Sequence, residues 1–274
     1  MGLTVQHDKR GQRVPSSVES LLREGGLDAE LAALLSILIE ARVPLIVTGQ
    51  VDAAVRTAIL DGLLESLPAG TRRIPLAGPT EDFGWLPEAE SLGWRPDGPT
   101  PGRGTPAAAT PDATVILAGD LTRDELGATW AGIVRIAARA VSLGYGLAGT
   151  IAADSLESVF DRLRSAPFRL TDDELSRLGV VVVLAESTGS VPRIAAAHFV
   201  RPVARDMHGH VQRLGPAVLA TSERDGRFEH FAWGVTPELA LRTGRRAGDF
   251  EIEQERRRDE LAAALQDTPA GGPS

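Results

Sequence analysis

The sequence predicts an α/β fold with a mainly parallel sheet and antiparallel hairpins added towards the C-terminus. Short apolar, β-rich runs alternate with segments of helical periodicity over residues 44–166, which is typical of parallel strands joined by crossover helices. Over residues 177–234, β-rich segments follow one another with short turns such as ERDG, which predicts hairpins at one edge of the sheet. The apolar content of 43% in 274 residues is sufficient for one large core.

The predicted elements follow in a regular order. Residues 18–26 (VESLLREGG) place leucines on one helical face, and residues 27–43 have apolar positions at helical spacing behind a capping Asp28. A strand at residues 44–49 (PLIVTG) ends in a glycine and leads to a helix at residues 53–67. The other predicted elements are strands at 113–120 and 147–153 and helices at 121–144, 155–166 and 236–266.

Composition divides the chain into three parts. Residues 1–17 are polar and residues 267–274 (DTPAGGPS) are rich in proline and glycine, so both segments are predicted to be disordered. A single domain is predicted between them, at residues 18–266. Within this domain, residues 78–112 contain much of the proline and glycine, which predicts a long loop with little regular structure.

Charge and composition exclude several classes of function. The net charge is −8 and the basic residues are scattered, so nucleic acid is not an expected partner. The lack of cysteine excludes disulfides, thiolate metal sites and cysteine nucleophiles. No apolar run is long enough for a membrane span or a signal peptide, so we expect a cytoplasmic protein without membrane insertion. Asp206, His208 and His210 alternate, but they lie where a hairpin turn is expected, and no metal site is predicted.

Five strings, taken in order, carry a resemblance to one protein family. They are SVESLLREG, LDAELAALLSILIEAR, PLIVTG, Pro111-Asp112 with TVILAGD, and TIAADS at residues 150–155. They are similar to the two entry helices, the strand before the phosphate loop, the Walker B strand and the histidine box of type II and type IV secretion and pilus-assembly ATPases, especially the tight-adherence and archaeal-type motors. The resemblance implies a RecA-like P-loop NTPase core, with helices on both faces of the sheet.

The resemblance also locates a nucleotide site whose key residues are replaced in this chain. A phosphate loop has the pattern GxxxxGK[ST], in which backbone N–H groups and a lysine contact the phosphates and a hydroxyl holds Mg²⁺. The aligned stretch is residues 49–57 (GQVDAAVRT). It has Ala54 at the second glycine, Val55 at the lysine and Arg56 at the hydroxyl position. The only lysine in the chain is Lys9, far upstream, so no shifted alignment restores the ammonium group.

The other catalytic positions are replaced as well. The family also has an acidic box, which contains a pair of acidic residues. Residues 77–79 (AGP) replace that pair in this chain, and Glu81 and Asp82 are nearby but displaced from it. Ala152 replaces the histidine of the histidine box. Asp120 alone is acidic where the family has its catalytic glutamate. One acid without these partners cannot position Mg²⁺-ATP, because phosphoryl transfer depends on several charge-stabilising groups.

The candidate site residues are therefore Asp120 as a catalytic acid, and Gly49, Arg56 and Thr57 as a vestigial phosphate loop. Each also has a simpler interpretation. Asp120 is then an acid at a strand end, Gly49 a turn residue, and Arg56 a solvated helix residue.

Three hypotheses follow for the function. The first is a pseudo-ATPase without a cofactor, which forms homo- or hetero-oligomers with a secretion or pilus motor ATPase or its membrane platform and has a structural or regulatory role. The second is a divergent ATP hydrolase that binds ATP and Mg²⁺ in an altered pocket and powers or gates such a system. The third is a monomeric adaptor that has left the apparatus.

Overall fold

The computed structural model describes residues 17–95, 107–123, 127–186, 192–205, 207–208, 210–223 and 225–267. The helices are α1 (Val18–Arg23), α2 (Ala29–Glu40), α3 (Ala53–Leu63), α4 (Gly127–Ala140), α5 (Leu156–Arg164), α6 (Asp172–Leu175), α7 (Thr236–Arg242) and α8 (Ala247–Asp267). The strands are β1 (Leu45–Gly49), β2 (Arg72–Pro75), β3 (Thr114–Asp120), β4 (Gly146–Thr150), β5 (Val180–Ala185), β6 (Arg193–Phe199), β7 (Ala204–Arg205), β8 (Val211–Gln212), β9 (Ala217–Ser222) and β10 (Phe228–His230).

Within the described residues, one eight-stranded sheet forms the centre of the fold, in the order β10-β9-β6-β5-β1-β4-β3-β2. The five strands from β5 to β2 are mutually parallel. β6, β9 and β10 extend the sheet antiparallel beyond β5. β7 and β8 form a separate two-stranded ribbon. The predicted mainly parallel sheet with antiparallel C-terminal strands is therefore confirmed.

The position of β5 corrects one detail of the sequence interpretation. We grouped its segment with the edge hairpins, but β5 pairs in parallel with β1 in the middle of the sheet. The run Val180–Leu184 is buried throughout, because helices cover both faces of the sheet at this point. A continuous valine run without polar alternation is typical of such a strand.

Helices cover both faces of the sheet, as predicted, and two apolar cores result. Adjacent residues of β1 point into different cores, because successive side chains of a strand alternate between faces: Val47 joins the first core and Ile46 the second. The first core is covered by α1, α2, α3, α7 and α8, and the second by α4, α5 and α6. No helix among the described residues is long and apolar enough to cross a membrane.

Two short elements were not predicted. β2 has only four residues, with two arginines and a terminal proline, and it lies at the sheet edge, where a proline is tolerated. α6 is a single turn whose capping box joins Thr171 and Glu174. The spacing TDDE is the usual sequence signal for such a box.

The described part of the predicted loop at residues 78–112 has little regular structure, as expected. It contains 3₁₀ turns at Gly78–Thr80 and Pro111–Ala113. However, Phe83 and Trp85 are buried in the second core, so this part of the chain is packed against the domain. The predicted disordered ends lie outside the described residues, except for Ser17, which caps α1, and Asp267, which ends α8.

A histidine on the last strand joins the antiparallel edge to the N-terminal helices. His230 Nε2 lies 2.8 Å from Asp28 Oδ2, and Nδ1 lies 3.9 Å from Glu30. The other oxygen of Asp28 accepts the Leu31 N–H and caps α2. Burial lowers the pKa of His230, but the hydrogen bond and charge of Asp28 and the charge of Glu30 outweigh it, so the pKa is raised.

We expect His230→Gln to lower the free energy of unfolding by about 1 kcal/mol at acidic pH, because a charged hydrogen bond is lost. A raised pKa stabilises the fold fully below the unfolded value of 6.5, and this contribution disappears as pH rises through the folded-state pKa. In urea titrations, the difference in the free energy of unfolding between wild type and variant should therefore decrease from about pH 6 to about pH 8. Glu229→Gln, on the same strand but exposed, is the control. A difference that grows with pH would contradict the assignment.

Candidate functional site

A cleft of about 420 Å³ opens at the carboxyl ends of β1 and β4. The chain leaves β1 towards α3 on one face of the sheet and leaves β4 towards α5 on the other. This reversal is the topological switch point at which open α/β sheets bind their ligands. The cleft is lined by Gly49, Gln50, Arg56, Ala152, Ala153, Asp154, Ser158 and Arg162.

Gly49 is required by the packing of the strands around it. It has φ +131°, and a Cβ atom there would lie 2.2 Å from the carbonyl oxygen of Leu184 on β5. Its N–H donates to the Ala153 carbonyl at 2.8 Å, and the Thr48 hydroxyl lies within 2.9 Å of the same carbonyl and that of Ile151. The end of β1 is thus tied to the loop after β4, and the Gly49 N–H has an internal acceptor.

Arg56 is a buried residue, which corrects the expectation of a solvated helix residue. Its side chain is only 6% exposed, and Nη1 donates to the carbonyls of Gly49 at 3.2 Å and Val51 at 2.5 Å. Only three residues separate β1 from α3, so Arg56 lies in the first turns of the helix, directly behind the loop. The guanidinium group therefore fills the concave side of the loop that follows β1.

The surroundings of Arg56 are acidic. Burial lowers its pKa, the charges of Asp120 and Asp52 raise it, and that of Arg162 lowers it further. An arginine remains protonated at neutral pH in spite of such effects. Arg56 Nε and Asp52 Oδ2 are buried without a hydrogen-bond partner among the described residues. The loop thus surrounds an internal cation with carbonyl oxygens and carboxylates.

Asp120 and Thr57 differ in their relation to Arg56 and the cleft. Asp120 ends β3 near enough to Arg56 to affect its pKa, and its carboxylate accepts the Thr122 N–H at 2.9 Å and hydroxyl at 3.0 Å. This turn gives Asp120 a structural role at a strand end. Thr57 is exposed on α3 and does not line the cleft. The structure therefore places Gly49 and Arg56 in the cleft, while Asp120 acts on Arg56 through its charge and neither Asp120 nor Thr57 lines the cleft.

The far wall of the cleft comes from the start of α5. Asp154 accepts hydrogen bonds from the Ser158 hydroxyl and, at 3.4 Å, from the Gln50 amide, and the bond from Ser158 is the main cause of its lowered pKa. Arg162 donates to the Ala152 carbonyl at 2.7 Å. We did not predict Gln50, Ser158 or Arg162 as site residues. Ser158 and Arg162 are four residues apart and so share one face of α5, which is the signal that was available for these two.

Glu81, considered above as a displaced acidic-box residue, has a structural role. Its carboxylate is buried and accepts the N–H groups of Ala77 at 2.8 Å and Phe83 at 2.9 Å, as well as the indole N–H of Trp85 at 3.1 Å. Three donors stabilise the carboxylate in the packed loop. It does not line the cleft.

No group of three or more His, Asp or Glu side chains that could hold a metal ion is found in the described part of the chain. His208 and His210 have ring centroids 6.1 Å apart. Asp206 lies outside the described residues.

No protein-family model matches the sequence, and no curated protein matches it either. Among solved structures, the chain is similar to the VirB11 ATPase from the Brucella suis type IV secretion system, in complex with sulphate, with 18% identity and a TM-score of 0.42. That alignment covers 66% of this chain and 54% of VirB11. The chain is also similar to the Legionella pneumophila ATPase DotB, with 10% identity and a TM-score of 0.32, over 97% of this chain and 64% of DotB.

The chain thus spans less than two thirds of either neighbour. VirB11 belongs to the type IV secretion ATPases that the sequence strings resemble. The order of the strands in the sheet supports the fold class.

We expect Arg56→Met to lower the free energy of unfolding by about 2 kcal/mol, because the carbonyls of Gly49 and Val51 lose their donor. Thr57→Ala, one residue further and exposed, should change it by less than about 0.5 kcal/mol. Chemical denaturation of both variants checks this. An Arg56→Met protein as stable as the wild type would show that the loop does not depend on the guanidinium.

Gly49→Ala should lower the free energy of unfolding by more than about 3 kcal/mol, since the new methyl group collides with the backbone of β5 and the φ angle is unfavourable. Gly70→Ala is the control, because a Cβ atom there meets nothing within 4 Å. Thermal unfolding followed by circular dichroism compares the two. Equal losses for both variants would contradict the close approach of β1 and β5.

Proposed function

We propose that this chain is a secretion-ATPase-like protein without ATPase activity, which acts as a structural or regulatory partner of a secretion or pilus motor. The single observation that carries the proposal is the position of Arg56. Its guanidinium group occupies the concave side of the loop where an active ATPase of this kind would hold phosphate.

The polarity of the loop supports the proposal. A phosphate loop directs backbone N–H groups at its ligand. Here the carbonyls of Gly49 and Val51 point at Arg56, and the N–H of Gly49 donates to Ala153. A phosphate group would have to displace the buried arginine and leave the carbonyls of Gly49 and Val51 without their donor, which is unfavourable. The loop is therefore arranged around an internal cation.

The acidic groups support the same conclusion. Asp120 is engaged by Thr122, and Asp52 lies at the N-cap of α3, where its negative charge repels an incoming phosphate. Lys9, the only lysine of the sequence, lies outside the described residues. The acidic groups around the loop after β1 thus disfavour a phosphate group, and no lysine among the described residues offsets them.

The second candidate, a divergent nucleotide-binding ATPase, is favoured by one observation. Arg162 lines the cleft opposite Arg56, so two guanidinium groups face the same space. A rotated Arg56 together with Arg162 would bind an anion. Nucleotide binding therefore separates the two candidates.

We expect no change in melting temperature when about 5 mM ATP, ADP or GTP is added with Mg²⁺. A nucleotide with a dissociation constant of about 50 µM would stabilise the fold by about 2.7 kcal/mol and raise the melting temperature by about 5 to 10 °C. Differential scanning fluorimetry measures this, and Arg162→Met serves as a matched variant. A shift in the wild type that Arg162→Met removes would favour the second candidate.

Hydrolysis is tested separately. We expect phosphate release at the rate of the buffer alone, both for the wild type and for Asp120→Asn. ATP hydrolysis at the rate of a motor ATPase that Asp120→Asn abolishes would contradict the proposal, because only a working site depends on this acid.

The proposed role as a partner of a motor ATPase is tested by measuring the mass of the particles that this chain forms in solution. Size-exclusion chromatography with light scattering, alone and with a motor ATPase encoded beside this chain, should show a complex larger than either component. Two components that elute separately, with this chain as a monomer, would instead favour the adaptor hypothesis.

A further inference from the structure

A groove far from the cleft exposes large apolar side chains. Trp233, in the corner after β10, is 79% exposed, and Ile252 on α8 is 68% exposed. Together with Glu30, Glu251, Glu255 and Arg258 they line a space of about 570 Å³ between α8 and this corner. We call these six residues and the space between them the C-terminal groove.

Contacts with the rest of the domain fix the orientation of α8 and leave another side of the helix exposed. Phe250 is fully buried in the first core, and Leu261 and Leu265 pack against it, while Arg257 forms an ion pair with Glu40 of α2. These contacts fix one side of the helix. Gly248, Glu251, Ile252 and Glu255 have the spacing i, i+3, i+4 and i+7, so they form a stripe on another side. All four are exposed.

The apolar part of the groove has the properties of a binding surface. Tryptophan is enriched among the residues that contribute most to protein–protein binding, and an exposed tryptophan beside an exposed isoleucine leaves apolar area in water. Gly248 also lines the groove, and a Cβ atom there would meet nothing within 4 Å, so an incoming side chain has room beside it. The groove can therefore receive a large apolar residue.

The charges around the groove indicate which kind of segment carries that residue. Three carboxylates, those of Glu30, Glu251 and Glu255, line it against the single guanidinium of Arg258. Arg258 is itself paired with Asp259 at 2.9 Å. His230 also lines the groove and lies 2.8 Å from Asp28 and 3.9 Å from Glu30. The charged side chains that line the groove therefore have a net negative charge, which is complementary to lysine and arginine.

We propose that the C-terminal groove binds a basic segment of a partner protein, with a large apolar side chain against Trp233 and Ile252 and flanking lysine or arginine residues against Glu30, Glu251 and Glu255. This inference does not rest on the proposed function, since it uses none of the residues of the cleft. The proposed docking surface lies at the end of the sheet where the antiparallel strands meet α8.

The test uses the full chain and two fluorescein-labelled peptides of equal length, one of alternating Lys-Leu-Leu-Lys blocks and one with every lysine replaced by glutamate. Fluorescence anisotropy should show saturable binding of the basic peptide and none of the acidic one. Trp233→Ala and the double variant Glu251→Gln, Glu255→Gln should each weaken binding about tenfold. Leu241→Ala, at another exposed apolar residue outside the groove, should leave it unchanged. Circular dichroism checks that every variant is folded.

Three results would overturn the proposal. The basic peptide does not bind, or it binds equally to the wild type and Trp233→Ala, or the acidic peptide binds as tightly as the basic one. Sedimentation velocity adds a fourth: a dimer of the wild type that Trp233→Ala dissociates would assign the groove to a second copy of this chain.

Discussion

The parallel pairing of β1 with both β4 and β5 is the constraint from which the rest of the fold follows. All five residues of β1 are buried, so apolar layers are required on both faces of the sheet. The close approach of Gly49 to Leu184 leaves no room for a side chain at the end of the strand. The hydrogen bonds from Thr48 and Gly49 to the loop after β4 then fix the position of the cleft.

The backbone arrangement at the cleft can hold either a ligand or a side chain of the protein itself. A strand end, a short loop and a helix N-terminus form a concave site at the switch point, which in many proteins receives a ligand. In this chain the helix supplies its own cation, because Arg56 reaches back to the carbonyls of the loop. An internal side chain is covalently attached to the chain, so it stabilises the loop without the loss of translational and rotational freedom that binding a free ligand requires. The loop after β1 is thus stabilised by a residue of the chain itself.

The two ends of the sheet have different characters. At the parallel end the polar groups of the cleft are engaged with one another: Asp154 with Ser158 and Gln50, and Arg162 with Ala152. At the antiparallel end Trp233 and Ile252 are exposed beside the carboxylates of Glu30, Glu251 and Glu255. Contact with another protein is therefore more favourable at the antiparallel end, where apolar area remains to be buried.

The sequence by itself determined the class of the fold and the order of most elements, because apolar periodicity and glycine turns depend on local chemistry. Leu45–Gly49 and Thr114–Asp120 are strands and Ala29–Glu40 is a helix, each within the segment that the sequence predicts. It also shows that the only lysine, Lys9, is far in the sequence from the loop after β1. Only the tertiary structure decided that VVVVLA lies next to β1 and that Arg56 is buried. Strand neighbours and the direction of a long side chain depend on contacts between residues far apart in the chain, and periodicity does not record such contacts.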